Sequence, residues 1–212
     1  MKGFDSIAAS MFPGEWNIIK ERDGDSEAST ILLEHSDFIF SRFPEQSFLL
    51  DRFPKRIADH TKFASLALSF GEVEDNPVLR SRYINEEQKF IRVFQLLWAY
   101  DNVWVETSLR YENTERIKEV LQNQEKEKRM FTALEKLIQN DSDHLQIEEL
   151  ADLEVFLELG LRETVSSVFV FENMHVCTWS NFDLNMPMFI GNSESLEILR
   201  TIITTEGLYL RR

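Results

Sequence analysis

Residues 165–190 read VSSVFVFENMHVCTWSNFDLNMPMFI. Val168, Phe169, Val170 and Phe171 are β-branched or aromatic, the composition of a strand. Residues 172–174 form a polar turn centred on Asn173, and residues 175–179 supply the return strand. The stretch therefore predicts a β-hairpin followed by a short extended segment. Its apolar side chains fall on both faces, with Val168, Val170 and Val176 set among Phe169, Phe171, Cys177 and Trp179. A strand that is apolar on both sides has to be covered on both sides. The fold class expected is α+β, a mixed or antiparallel sheet with flanking helices and a C-terminal hairpin followed by a helix.

Downstream of the hairpin, Asn192 or Ser193 opens a last helix through Leu196, Leu199, Ile202 and Ile203, and Gly207 ends it before a short edge strand. Upstream, residues 140–160 (NDSDHLQIEELADLEVFLELG) hold seven carboxylates and neither Lys nor Arg. Read as a helix, the segment buries Ile147, Leu150, Leu153 or Ala151, and Phe156 or Leu157, and turns Glu148, Glu149 and Asp152 outward. Like charges at this spacing repel, so such a helix gains from a cationic partner. The plain alternative is a solvated acidic helix that serves only solubility. Asn113 or Thr114 caps the preceding helix, whose apolar stripe lapses over residues 122–129. That lapse means either one helix projecting into solvent or two helices. It is also the place to divide a single 1–212 domain, if it divides, into an aromatic-rich half (1–121) and an acidic helix plus hairpin (130–212).

In the N-terminal half, Phe90, Val93, Phe94, Leu97 and Trp98 recur at helical spacing behind a capping pair, Asn85 and Gln88. Residues 103–111 alternate as a strand. Residues 62–70 (KFASLALSF) alternate small and large side chains and also favour strand. Two RFP triplets, at 42–44 and 52–54, mark boundaries, because proline disfavours helix in the residue before it, with a strand over 47–50 between them. Residues 4–11 suggest a short helix, the Pro13-Gly14 pair a break, and residues 15–20 a strand. Asp23-Gly24-Asp25 lacks the regular oxygen spacing of a calcium loop and reads as a turn. Arg52, Lys55 and Arg56 form the densest basic cluster of this half, read as solvated charges in a helix first turn.

The chain has 212 residues and is 43% hydrophobic, with 17 Phe, 4 Trp and 4 Tyr, so it can fill a core without staples. The single cysteine, Cys177, cannot close an intramolecular disulfide, which suggests a reducing, cytoplasmic compartment with the thiol as a small buried hydrophobe. The formal net charge is −14 and is shared by both halves. A surface so negative repels phosphate and anionic lipid, which excludes nucleic acid and membrane as main ligands and favours a basic protein partner.

Reactive motifs are missing. The 7 glycines never fall close enough together for a phosphate-cradling or dinucleotide loop. His35, His60, His144 and His175 are scattered, without metal-ligand spacing. No cofactor, metal or catalytic residue is therefore assigned. In general character, an acidic α+β chain with one cysteine and many aromatics, the sequence is similar to bacterial immunity proteins that neutralise toxins. The likeness covers composition and transfers no functional position. It implies a non-catalytic inhibitor whose preformed negative surface captures a basic toxin. The residues expected to make that surface are Asp141, Asp143, Glu148, Glu149, Asp152 and Glu154. A second reading is a regulatory module enclosing a small molecule in an apolar pocket. A third is a hydrolase with a composite site, in which His60 or His175 lies beside carboxylates.

Overall fold

The computed structural model describes residues 3–22, 31–73 and 76–212. In chain order the helices and strands are α1 (Phe4–Met11), α2 (Trp16–Arg22), α3 (Ile31–Glu34), α4 (Ser36–Arg42), β1 (Ser47–Asp51), α5 (His60–Ala64), α6 (Phe70–Val73), α7 (Pro77–Trp98) and β2 (Val103–Thr107). They continue with α8 (Thr114–Leu121), α9 (Gln124–Gln139), β3 (His144–Ile147), α10 (Leu150–Leu161), β4 (Ser167–Phe171), β5 (Val176–Trp179), β6 (Asn185–Ile190), α11 (Ser193–Thr205) and β7 (Tyr209–Arg211). The α+β class stands.

The hairpin is the middle of the molecule. β4 and β5 are the third and fourth strands of a seven-stranded antiparallel sheet ordered β3-β2-β4-β5-β6-β1-β7. Every residue of β4 and β5 is buried, because the sheet has helices on both faces. Val168, Val170, Cys177, Trp179 and Phe189 pack with α1 to α4, while Phe169, Phe171, Val176 and Met188 pack with α7 to α11. Full burial of each of these side chains stabilises the fold by roughly 1.5–3 kcal/mol. The turn is held from outside the hairpin. Both oxygens of the buried Asp101 accept from the Asn173 amide, at 3.0 and 2.9 Å, and Oδ2 also accepts from Met174 N–H at 2.7 Å. The sheet edges, β3 and β7, are four and three residues long, and short edges resist pairing with another chain.

Several local expectations change. Residues 15–20 are not extended: Glu15 lies in a turn and the helix α2 starts at Trp16, with Trp16 and Ile19 buried three apart while Ile18 is 43% exposed. Residues 62–70 contain no strand. Asp59 caps α5 by accepting from Thr61 and Lys62 N–H, and of the segment Leu68 and Phe70 are buried. The long helix begins nine residues before the expected capping pair, at Asn76 with Pro77 in its first turn, where a missing N–H costs nothing. The strand after it ends at Thr107 and gives way to a 3-10 turn, Leu109–Tyr111. Residues 122–129 contain a junction of two helices: Gln122 adopts a left-handed conformation, and Asn123 caps α9. The 140–160 segment is a strand and a helix rather than one helix. Arg52, Lys55 and Arg56 lie in the loop after β1, outside any helix. Asp23-Gly24-Asp25 lies outside the described residues. Among the described residues no helix is long and apolar enough to cross a membrane.

Candidate functional site

Antiparallel pairing brings the C-terminal ends of β2 and β5 and the N-terminal ends of β3, β4 and β6 to one end of the sheet. Thr107 pairs with Ser167, Glu106 with His144 and Val168 with Trp179. The loops at this end are 108–112, 140–143, 162–166 and 180–184. They form a rim that carries Glu112, Asp141, Asp143, Glu163 and Asp183, against Arg110 and the inward-turned Arg162. Two aromatic rings stand out from it: Tyr111 is 58% and Phe182 66% exposed. Four of its non-glycine residues, Asp141, Glu163, Asp183 and Leu184, have φ between 44° and 60°. Left-handed backbone at non-glycine positions is uncommon and has to be held by its surroundings.

Contacts tie one corner of the rim together. Asp141 N–H donates to Ile138 carbonyl at 3.2 Å, in the last turn of α9. Arg110 reaches Asp141 at 3.0 Å and the buried Asp143 at 3.5 Å, and the Tyr111 hydroxyl donates to Asp143 at 3.0 Å. Ile138, 58% exposed, and the 92%-exposed Asp141 side chain therefore lie on the same corner as Tyr111. Beside it, Ser108 donates to Glu112 at 2.6 Å and accepts from Ser166 N–H at 3.1 Å. Farther along, on the β1 side of the same end, Arg52, Lys55 and Arg56 replace the acids.

The structure divides the six carboxylates expected to act together. Asp141 and Asp143 are on the rim. The four-residue β3 runs away from it, so Glu148 and Glu149 emerge toward the opposite end, and Asp152 and Glu154 follow on α10. All six are engaged within the chain. Arg129 of α9 pairs with Glu149 at 2.8 Å and Asp152 at 2.9 Å, Lys136 lies 3.9 Å from Glu148, and Gln95 donates to Glu154 at 2.7 Å. These bonds link α10 and the turn before it to α9 and α7. A cleft of about 220 Å³ beside Arg129 is mixed in charge, with Lys128 and Lys136 on its wall.

Sequence reasoning missed Glu112, Glu163, Asp183, Tyr111 and Phe182. The available signal was position: each lies within five residues of a strand end, in a short polar loop such as Ser180-Asn181-Phe182-Asp183. That signal becomes useful only when pairing shows which strand ends are neighbours.

Other chemistry is sparse. Cys177 is wholly buried 3.3 Å from the Met11 sulfur, and burial, helped by Glu106, pushes its thiol pKa far up. Among the described residues no three His, Cys, Asp or Glu side chains converge as metal ligands. Clefts on the surface measure about 120 to 340 Å³, and neither His60 nor His175 lines those at the rim. No protein-family model, no curated protein and no solved structure matches this chain.

Proposed function

We propose that this protein is a non-catalytic acidic binding protein that captures a basic protein, and that it inhibits that partner as an immunity protein inhibits its toxin. The observation that carries the reading is the rim, whose neighbouring loops hold Glu112, Asp141, Glu163 and Asp183 together with the exposed rings of Tyr111 and Phe182, while the buried Asp143 anchors Arg110 and the Tyr111 hydroxyl beneath. Aromatic anchors beside charges of one sign are the usual makeup of a docking surface. The wider field supports it. With 37 acidic and 23 basic residues, 14 carboxylates remain uncompensated even if every base neutralises one, and a field of that sign steers cationic proteins toward the surface. The proposal keeps Asp141 from the six acids expected and sets aside Glu148, Glu149, Asp152 and Glu154, which lie toward the other end of the sheet; to Asp141 it adds Glu112, Glu163 and Asp183 in the loops of the rim. A cytoplasmic setting is part of the same proposal.

The test is capture from the native cell on immobilised protein, followed by affinity measurement across a salt series for wild type and for Asp141→Lys with Glu112→Lys. The expected result is a retained protein of basic isoelectric point whose affinity falls steeply with salt and by about tenfold or more in the double variant. A retained protein that is acidic, or binding indifferent to salt and to both substitutions, overturns the reading.

A further inference from the structure

Between the C-terminal end of α10 and the loop after β5 lies a cleft of about 120 Å³, with Glu163, Val165, Ser166, Ser180 and Phe182 on its wall. Its back wall is built closely. A Cβ placed on Gly160 would meet the Ser180 Cβ at 2.8 Å, so only glycine lets the α10 backbone and the Ser180 loop meet this way. Asp183 N–H approaches Glu163 Oε1 at 3.4 Å, so Glu163 is the acid on the cleft wall, with the exposed Phe182 ring, and Asp183 follows just behind it. Among the described residues no lysine or arginine pairs with either carboxylate. Arg52, the base whose field Asp183 does reach, donates instead to Leu66 carbonyl at 3.3 Å. Although Glu163 is exposed as a whole, partial burial of its carboxyl group pushes its pKa up; the backbone N–H groups of Asp183 and Phe70 oppose this, and the Asp183 and Glu72 carboxylates add to it. A carboxylate so placed is ionised more readily when a cation arrives.

We infer that this cleft takes an arginine side chain of the basic partner, the guanidinium bonded to the Glu163 carboxylate and lying over the Phe182 ring, with the charge of the adjacent Asp183 adding to the attraction. The inference rests on the function proposed above and adds the chemistry of one contact. Arginine fits better than lysine for two reasons. Its planar fork matches carboxylate geometry, and its weakly hydrated face stacks on an aromatic ring, whereas an ammonium has neither property. Ser166 and Ser180 at the wall leave the cleft polar enough to admit the head group, and the exposed Phe182 ring gives its methylene stem an apolar neighbour.

The experiment titrates the full-length, isotope-labelled chain with three capped tripeptides, Gly-Arg-Gly, Gly-Lys-Gly and Gly-citrulline-Gly, and follows backbone amide shifts. The expected result is saturable movement of residues 160–166 and 180–184 with the arginine peptide, weaker by roughly fivefold with lysine and absent with citrulline. Glu163→Gln and Phe182→Ala should each reduce arginine binding by about fivefold; thermal unfolding should be unchanged in Phe182→Ala because the ring is exposed, and little changed in Glu163→Gln, which keeps the oxygen that meets Asp183 N–H. Equal binding of arginine and citrulline, or shifts confined to other residues, overturns the inference. The two proposals fail separately. If Glu163→Gln and Phe182→Ala leave partner capture intact while Asp141→Lys abolishes it, the arginine contact is wrong and the docking rim stands. If the arginine peptide binds here but the captured protein is not basic, the functional reading is wrong and the cleft stands.

Discussion

The guanidinium of Arg162 donates to both oxygens of Glu87, at 2.7 and 2.8 Å, and to the Val120 carbonyl at 3.0 Å; it also lies over the Phe70 ring and 3.4 Å from Glu158, which bonds Lys126. One side chain thus links α6, α7, α8 and α10. Glu87 has no exposed surface, so removing Arg162 strands a charge where water cannot reach it. Arg162→Ala should therefore cost about 3–5 kcal/mol of unfolding free energy, measured by urea denaturation. The companion Glu87→Met with Arg162→Met should recover most of that loss, because two well-packed apolar chains need no partner. If the single variant unfolds within about 1 kcal/mol of wild type, the network contributes nothing beyond packing. Its members are separated by up to 92 positions, from Phe70 to Arg162, which is why no spacing in the sequence announced it.

At the scale of elements, the docking of α1 on the sheet should depend on pH. The ring of Phe4 stacks on His144 of β3 at 4.4 Å between centroids, and burial lowers the imidazole pKa while Asp5 and Asp143 pull it the other way. Because the folded ring has the lower pKa, the unfolded chain takes up its proton first as pH falls. The stability contributed by the neutral ring is then fully present above the ordinary imidazole range and is lost through that range toward the folded value. Amide exchange at Ile7 and Ala8 should quicken between about pH 7.5 and pH 5.5, and His144→Phe should flatten that dependence. Exchange equally pH-sensitive in His144→Phe, after correction for intrinsic rates, would assign the effect to other groups. Elements were legible where burial follows a simple period. The hairpin, whose strands are buried on both faces, showed as a continuous apolar run, and α8, α9 and α11 showed as stripes with caps at Asn113 and Asn192. Short segments were not legible. Trp16 and Ile19 offer a single helical repeat, too little to oppose a β-branched reading of Ile18-Ile19, and Asn76-Pro77 is equally the grammar of a loop and of a helix start. The strand at His144–Ile147 was hidden because the acids on either side of it invited one continuous helical face.

For the whole molecule, composition made the charge plain but not its placement, since the placement depends on strand order. Residues 141–154 looked like the acidic surface because they are acidic without a base nearby in sequence; Arg110 reaches Asp141 and Asp143, and Arg129 and Lys136 reach Glu149, Asp152 and Glu148 through the packing of α9 on α10. The rim became visible only when loops separated by some 70 positions, such as 108–112 and 180–184, were brought to one end of the sheet. A net charge of −14 on one compact body has two effects that salt should move in opposite directions. Self-repulsion opposes the folded state, and the same field attracts a cationic protein. Raising monovalent salt from about 0.01 M to about 0.15 M shortens the screening length from about 30 Å to about 8 Å, which removes most repulsion across the molecule but leaves ion pairs near 3 Å largely intact. Tm should therefore rise by a few degrees, corresponding to roughly 1 kcal/mol for a chain of this size. The association rate with a basic partner should fall over the same interval by about tenfold or more. Calorimetry and stopped-flow binding on one preparation would check both. A Tm that falls with salt would mean that attractive pairs such as Arg129 with Glu149 and Asp152 outweigh the excess of carboxylates, and the long-range field invoked for capture would then be too weak to steer anything.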